Sequence, residues 1–472
     1  MLYKIMDKEK YNRIKESYKP SIPYSEKLNN DEIRLNEHLS ILKKEADKRY
    51  QPNNPYGIIE WKDNEDIHPK LIDFCFKLPK GADLHAHDNT MIPLDKFVEL
   101  IIEYAMISLD KDTYGNLYTI YSSDLPENAI KISEALKQGL FSREELMDMM
   151  VIADGLEENG YWKRLEDLFS ATGDFYNDIY IMEKIWEEGF RSCYEKGVLL
   201  VEVRDWGTRD DLENDIRDRT IREAYYRVRR DHPDFLVRLI GCSGKDKENT
   251  VESACAALSS IIRVSRHLKD EFDPDNIEDF IIGLDLCNEE DNSKPLSEYA
   301  DFLMSDEVRK SGLKLYLHCG ESLRRDNDSV VDACIMDSYR VGHAMNLYRF
   351  PQLMKEYARK KTAIEVCLMS NYRLGYVRDL RIHPAIEYMT NGIPICLCSD
   401  DGLFMTRAPL VDDFYSAILC WDLNLGDIKA LCRNSIKYSG LSEKETDRLM
   451  KTWEDRWNDF VAEQVKDLMV SN

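Results

Sequence analysis

The chain is poor in basic residues relative to acidic ones and has no long apolar run. Its 472 residues include 64 Lys and Arg against 88 Asp and Glu, a net charge of −24. This balance argues against a nucleic-acid partner, because phosphate binding needs a basic surface. No apolar stretch reaches bilayer-spanning length, and the N-terminal segment, charged from Lys4 onward, lacks the apolar core of a secretory signal. We therefore expect a cytoplasmic protein that binds neither nucleic acid nor membrane.

The cysteine content is ordinary and histidine is scarce, and each of these limits the chemistry. Twelve cysteines in a chain of this length are an ordinary fraction, which disfavours a disulfide scaffold in a reducing compartment. The apolar share of 43 % still provides for a large core. Only nine histidines are present, so any gathering of histidines at one place in the fold is informative.

The apolar pattern divides the chain into an arm and a barrel. Residues 1–76 are predicted as an N-terminal helical arm, because Leu35, Leu39 and Leu42 recur at helical spacing. Asn29 and Glu32 form a plausible N-cap pair for this helix. A polar stretch with two prolines follows at 51–57.

Residues 77–472 contain eight short, nearly continuous apolar runs separated by helical segments. Such runs are typical of parallel strands covered by helices, and eight strand–helix repeats predict an α/β fold, a (β/α)₈ TIM-type barrel. The gap at 89–197 is too long for one crossover helix, which predicts a long helical insertion over the barrel mouth. Residues 442–468 are predicted as one long helix. The eight runs are 82–88, 198–204, 235–241, 280–287, 314–320, 340–345, 363–369 and 393–401.

Four of the eight runs end in groups that carry chemistry. Catalytic residues of such barrels lie at the carboxyl ends of the strands, and four of the nine histidines fall there. In the first run, two histidines at i and i+2 share one face of a strand. The residues at these ends are His85, His87, His318, Glu321, His343, Asp400 and Asp401.

These residue types suit a hydrolytic metal site. Three imidazoles with Asp400 are a ligand set for catalytic Zn²⁺, which makes water a stronger nucleophile. His343 is left to orient that water or to remove its proton, and Glu321 to act as general acid. Asp401 is placed to hydrogen-bond a substrate nitrogen. The alternatives are buried histidines with structural partners and, for Cys396 and Cys398, thiolate ligands instead of apolar packing.

The segments LPKGADLHAHD, LHCGES, RVGHAMNL, IEVCLMSN and ICLCSDD resemble motifs of the adenosine deaminase family, most of all its growth-factor branch. The resemblance covers about residues 77 to 465. It implies deamination of a purine nucleoside and one zinc ion per chain, held by His85, His87, His318 and Asp400. It also implies that Glu321 protonates ring N1, that His343 handles the water and that Asp401 contacts N7.

The same resemblance implies contacts for the rest of the substrate. Asp88 would face the ribose, and Trp162 would cover the substrate, with plain core packing as its alternative. The arm resembles a dimerisation arm, which predicts a homodimer.

The fourth run contains no lysine to bridge two metals, which favours a single metal. The H-x-E…P-C-x-x-C signature of the other zinc-deaminase fold is absent.

The chain departs from the family pattern at four positions near the proposed site. Cys319, Ala344 and Gly402 replace an alanine, a glycine and a proline, and Asn288 replaces a glycine whose N–H would reach the purine. None of these changes removes a proposed ligand or the acid. They leave open two alternatives, a deaminase for a modified adenine nucleoside or nucleotide and a catalytically silent nucleoside-binding signalling protein.

Overall fold

A barrel of eight parallel strands forms the centre of the chain in the computed structural model, which describes residues 8–47, 69–152, 160–206, 216–247, 249–266 and 279–470. The polar stretch predicted at 51–57 lies outside these ranges. Hydrogen-bonded neighbours follow the order β1-β5-β6-β7-β8-β9-β10-β11. The strands are β1 Gly81–His87, β2 Ala105–Ser108, β3 Leu117–Thr119, β4 Ala129–Lys131, β5 Val198–Asp205, β6 Leu236–Gly244, β7 Ile281–Cys287, β8 Lys314–Cys319, β9 Arg340–His343, β10 Ala363–Val366 and β11 Ile395–Leu397.

The barrel closes between β1 and the residues that follow β11. Ala86 and Asp400 form a parallel bridge, and the Asp400 N–H donates to the His85 carbonyl at 2.8 Å. The closure therefore brings the last strand's carboxyl end directly beside the two histidines of β1. At the other end of β1, Gly81 has a φ of +87°, and a Cβ there would lie 2.6 Å from Ser435 Oγ. Only glycine fits this close approach.

All eight predicted runs form barrel strands, which confirms the fold class. The strands are buried along nearly their whole length, as expected for parallel strands with both faces covered. Three runs extend two or more residues past the strands they predict, and the run 393–401 goes four residues beyond the end of β11. β9 stops at His343, where φ becomes positive, and β10 gives way to the helix Leu368–Arg373.

The segment between β1 and β5 is mostly helical but also contains a small sheet. β2, β3 and β4 pair antiparallel in the order β3-β2-β4, which was not predicted. Strands of three or four residues are too short to show a period in the sequence. The helix Gly160–Asn177 lies over the barrel mouth, since its residues line the central cavity.

The N-terminal and C-terminal helices pack together on the barrel. The helix Asn30–Asp47 buries the predicted Leu35, Leu39 and Leu42 and contacts the helix Glu443–Val470. Trp457 of the latter donates from its indole to Glu32 at 2.7 Å, and the predicted cap forms because the Asn29 N–H donates to Glu32 at 2.7 Å. In contrast, the helix Lys8–Ser17 is exposed.

The remaining helices surround the barrel or belong to the insertion. Within the described ranges, none is both long and apolar enough to cross a membrane. They are Pro69–Lys77, Leu94–Tyr104, Ile132–Lys137, Arg143–Met149, Ile179–Glu195, Ile216–Asp231, Val251–Ser265, Ala300–Leu303, Asp306–Ser311, Ser329–Ile335, Pro351–Lys360, Ala385–Thr390, Gly402–Met405, Val411–Cys420 and Leu425–Lys437, with short 3₁₀ turns at Glu290–Asn292, Leu296–Tyr299, Leu347–Arg349 and Leu380–Ile382.

Candidate active site

Four of the predicted residues come together as a buried cluster with metal-ligand geometry. One ligand atom from each of them lies within 4.8 Å of every other. Asp400 Oδ1 is 3.2 Å from His87 Nε2 and 3.7 Å from His85 Nε2. β1 supplies two histidines, β8 supplies one, and the turn after β11 supplies the carboxylate. The cluster consists of His85, His87, His318 and Asp400.

The ring nitrogens of this cluster suit a bound cation. Nδ1 of His85 contacts Glu365 at 2.8 Å, whereas its buried Nε2 has no hydrogen-bond partner in the described part of the chain. Burial, together with Arg204 and the neighbouring imidazoles, lowers the pKa of His85 well below its usual value. The ring is therefore neutral, and a lone pair at an unpartnered buried nitrogen is what a metal ion satisfies.

His318 is oriented in the same way. Its Nδ1 contacts Asp285 Oδ2 at 2.7 Å, and its backbone N–H donates to Oδ1 of the same carboxylate at 2.9 Å. Burial alone raises the pKa of Asp285, but His318 and Arg204 together bring it well below its usual value. The carboxylate stays ionised and holds the His318 ring with Nε2 toward the cluster, an arrangement typical of metal-binding histidines.

His87 adds a pH-sensitive element to the cluster. Burial alone lowers the pKa of His87, but the carboxylates of Asp401 and Asp400 raise it to about 9. Metal binding at this histidine would displace its proton, so affinity should increase with pH.

Behind the ligands lies a buried network of charged side chains. Arg204 donates to Glu365 Oε2 at 2.5 Å, and Arg340 donates to Glu365 Oε1 at 2.7 Å. Arg340 also donates to Glu202 at 2.5 Å, and all of these side chains are fully buried. The network fixes the carboxylate that orients His85.

Glu321 follows β8 and lies at the edge of the ligand cluster. Its side chain is buried, and its Oε1 is 3.6 Å from His343 Nδ1. Its backbone N–H donates to Glu290 at 2.8 Å. Burial, followed by the carboxylates of Asp400 and Glu290, raises the pKa of Glu321 well above its usual value. A carboxyl group that keeps its proton in a cavity is suited to act as a general acid.

His343 and Asp401 complete the predicted set. His343 Nδ1 contacts the Asn371 amide nitrogen at 3.2 Å, and its Nε2 lies 3.9 Å from Asp400 Oδ2. Burial lowers the pKa of His343 to about 3, so the ring is neutral. Asp401 accepts a hydrogen bond from Thr90 Oγ1 at 2.8 Å, and burial, with Asp400 nearby, raises its pKa to about 6.

The site opens into a cavity of about 880 Å³. Trp162 lines it as predicted, half-buried, and its indole N–H donates to Tyr376 Oη at 2.6 Å. Asn288 also lines it, with a φ of +117°. This left-handed conformation favours glycine, which explains the family's glycine at this position. The Asn288 amide donates to Asp246 at 2.9 Å, so its side chain is held at the cavity wall.

Asp88 lies beside this cavity and does not line it directly. One of its oxygens accepts from the Arg217 guanidinium, and the other is buried without a partner among the described residues. Arg217 also donates to Asp205 at 3.2 Å and stacks on the Trp186 ring with its guanidinium carbon 5.0 Å from the centroid. The arginine therefore fixes the orientation of the Asp88 carboxylate.

Sequence reasoning missed the residues that orient the predicted set. Some signal was present, because two of them, Glu365 and Asn371, fall within the family-like segment IEVCLMSN. The cysteines Cys396 and Cys398 are not metal ligands in this arrangement, since burial raises the pKa of both thiols and neither belongs to the four-residue cluster. The orienting residues are Glu365, Asp285, Asn371, His383 and Arg217.

Known proteins are similar to this chain in both sequence and fold. A family model described as adenosine deaminase matches residues 253–455. Adenosine deaminase 2 of Dictyostelium discoideum is 25 % identical over 455 residues, covering 90 % of this chain and 80 % of that protein. The structure of an Arabidopsis N6-mAMP deaminase superposes with a TM-score of 0.57 at 18 % identity, covering 81 % of this chain and 99 % of that one.

A metal-containing structure has the same fold. An amidohydrolase from Burkholderia ambifaria with bound Zn gives a TM-score of 0.57 at 16 % identity, covering 84 % of this chain and 94 % of that one. The buried His and Asp cluster described above has the donor set for such a divalent metal. The family model and the curated relatives therefore support the adenosine deaminase family of metal-dependent aminohydrolases for this chain.

Proposed function

We propose that the protein catalyses the zinc-dependent hydrolytic deamination of adenosine or a related purine nucleoside, releasing ammonia and an inosine-type product. The observation that carries this proposal is the juxtaposition of two features in one cavity. A buried three-histidine, one-aspartate ligand set lies beside Glu321, whose pKa is raised by burial. Attack of water on a purine carbon needs both an activated nucleophile and an acid for the ring nitrogen.

The residues divide the chemistry between them. His85, His87, His318 and Asp400 would hold the zinc ion, which supplies Lewis acidity that strengthens water as a nucleophile. Glu321 donates its proton to ring N1 as C6 is attacked. Asp401, with its raised pKa, hydrogen-bonds N7 and fixes the plane of the base. His343, whose Nε2 lies 3.9 Å from Asp400 Oδ2, would contact the attacking water.

The rest of the cavity recognises the nucleoside. Asp88, buried beside the cavity with one unpartnered oxygen, would accept a ribose hydroxyl that reaches it, and Trp162, which lines the cavity, would cover the substrate from the insertion. Asn288 brings an amide to the wall where the family has a glycine. Its side chain narrows the cavity next to the base and is the first candidate for tuning specificity.

The charge of the cavity favours a substrate without phosphate. Among the described residues that line it, Lys247 is the one lysine or arginine, whereas five carboxylic acids take part, namely Glu166, Asp246, Glu321, Asp400 and Asp401. With Glu321 protonated and Asp400 assigned to the metal, the carboxylates of Glu166, Asp246 and Asp401 would repel a 5′-phosphate, and Lys247 alone would attract it. A modified adenine nucleoside or nucleotide is the second candidate, because the similar Arabidopsis structure bears the name N6-mAMP deaminase.

The binding-only alternative is disfavoured by the completeness of the site. A protein that kept only nucleoside binding would not need Glu365 and Asp285 to orient metal ligands at full burial. Homodimerisation through the arm and a cytoplasmic location stay predictions from the sequence.

Ammonia release from zinc-loaded protein tests the proposal directly. The panel is adenosine, 2′-deoxyadenosine, AMP, N6-methyladenosine, N6-methyl-AMP, adenine, guanosine and cytidine. We expect release from adenosine or deoxyadenosine, with chelation abolishing it and zinc restoring it. Release of ammonia from AMP alone, or of methylamine from an N6-methylated member alone, would support the second candidate. A protein that binds one zinc and deaminates none of them would contradict the proposed function.

Arg217→Met tests the role of the Asp88 carboxylate. Without the guanidinium, Asp88 loses the hydrogen bond that orients it, so we expect KM for the nucleoside to rise about tenfold while kcat changes less than about threefold. Steady-state kinetics on the active substrate measure both constants. Arg219→Met, which alters an exposed residue of the same helix, should leave both unchanged. An unaltered KM in Arg217→Met would contradict this role for Asp88.

A further inference from the structure

A chain of hydrogen bonds runs from His343 away from the cavity to a second buried histidine. The Asn371 amide nitrogen is 3.2 Å from His343 Nδ1, and its Oδ1 is 3.2 Å from His383 Nε2. The chain ends at the main chain, where the Ala385 N–H meets His383 Nδ1 at 3.1 Å. All three side chains are almost completely buried, so water does not compete for these groups.

The direction of every hydrogen bond in this series follows from the last one, between Ala385 and His383. A backbone N–H can only donate, so His383 Nδ1 accepts from Ala385 and the proton of the neutral ring is on Nε2. His383 Nε2–H then donates to Asn371 Oδ1. The Asn371 amide group is left to donate to His343 Nδ1, which must therefore be unprotonated. In a neutral His343, the proton is on Nε2.

The reversed orientation fails on the same criterion. If the Asn371 amide were flipped, its NH₂ would donate to His383 Nε2, and His383 would need its proton on Nδ1. That proton would point at the Ala385 N–H, placing two donors against each other in a buried site. The Glu321 carboxyl, 3.6 Å from His343 Nδ1, is too far away to form a hydrogen bond that competes.

We propose that Asn371 and His383 are positioning residues that hold His343 in its Nε2–H tautomer, so that His343 orients the attacking water by donating to it. The proton that this water loses then leaves to solvent through the cavity and is not taken by His343. The catalytic meaning of this assignment rests on the proposed function, whereas the tautomer itself does not. His343 Nε2 is buried, has no partner among the described residues, and lies 3.9 Å from Asp400 Oδ2. Its N–H thus points to where the nucleophile must lie, between the ligand cluster and the cavity.

Long-range ¹H–¹⁵N correlation on the full chain labelled with ¹⁵N-histidine measures the tautomer, with and without zinc. The two ring nitrogens of neutral imidazole resonate in different ranges according to which one carries the proton, and a His343→Gln sample assigns the signals. We expect His343 and His383 both as Nε2–H forms. A proton on Nδ1 of His343 would overturn the assignment, whether or not the protein deaminates any purine.

Two substitutions then separate positioning from packing. Asn371→Asp places an acceptor against His343 Nδ1, so the tautomer should reverse and kcat should fall about 100-fold, with KM within about threefold. His383→Gln keeps an N–H donor for Asn371, so the Nε2–H form and kcat should persist within about threefold. Asn391→Asp, an exposed change after the helix Ala385–Thr390, is the control for added charge.

The outcomes distinguish the two proposals. An Nε2–H tautomer in a protein that releases no ammonia keeps this assignment and rejects the proposed function. An active enzyme whose Asn371→Asp variant reverses the tautomer and keeps its kcat rejects the positioning role. If the variants do not fold, the spectrum of the unaltered protein still decides the tautomer.

Discussion

Replacing Glu321 with glutamine is expected to lower kcat for the active purine substrate by about three orders of magnitude, while the protein still binds one zinc ion. Glutamine keeps the size of the side chain but has no acidic proton for ring N1. Because Glu321 is not among the four ligand residues, the metal site should remain intact. Ammonia release measured with equal zinc content in both proteins gives the comparison.

A control variant and a pH profile strengthen this experiment. Glu298→Gln makes the same substitution at an exposed position and should leave kcat unchanged. The neutral acid is the active form, so kcat should fall as the pH rises through the raised pKa of Glu321. The glutamine variant should lose that alkaline decline. Residual activity within about tenfold of the unaltered enzyme would mean that another group protonates the ring.

The ligand set could be predicted because each ligand lies at a strand end. In a parallel barrel, strand ends meet at one rim whatever the exact register, so His85, His318 and Asp400 are brought together by topology alone. The role of Glu365 could not be predicted in this way. It lies inside the apolar run 363–369 and is separated by 280 residues from the histidine it orients, a pairing that only the closed barrel reveals.

Other features were hidden for different physical reasons. The sheet β3-β2-β4 is built from strands too short for a period. The series of hydrogen bonds from His343 to His383 ends at the backbone N–H of Ala385. Every residue except proline has such an N–H, so the sequence does not mark this one. His383 precedes a proline and lies at no predicted strand end, so its position in the sequence does not connect it to the site. The tautomer of His343 can be inferred only from the directions of these hydrogen bonds.

Loss of the Glu365 side chain should affect stability and metal binding together. This side chain accepts from Arg204 and Arg340 and orients His85 in a fully buried network. In Glu365→Gln, one NH₂ group replaces an acceptor, so two buried guanidinium groups lose charge compensation. We expect the free energy of unfolding to fall by about 3 kcal/mol and the zinc affinity to fall about 10- to 100-fold.

Glu202→Gln separates the two effects. Glu202 pairs with Arg340 and accepts from the Gly440 N–H, but it does not contact a ligand histidine. The Glu202→Gln variant should therefore lower the free energy of unfolding by a similar amount and change the zinc affinity by less than about threefold. Thermal unfolding of the zinc-free proteins and competition titration with a chelator measure the two quantities. If both variants bound zinc equally well, Glu365 would support the barrel without tuning the metal, because His85 would keep its orientation through packing alone.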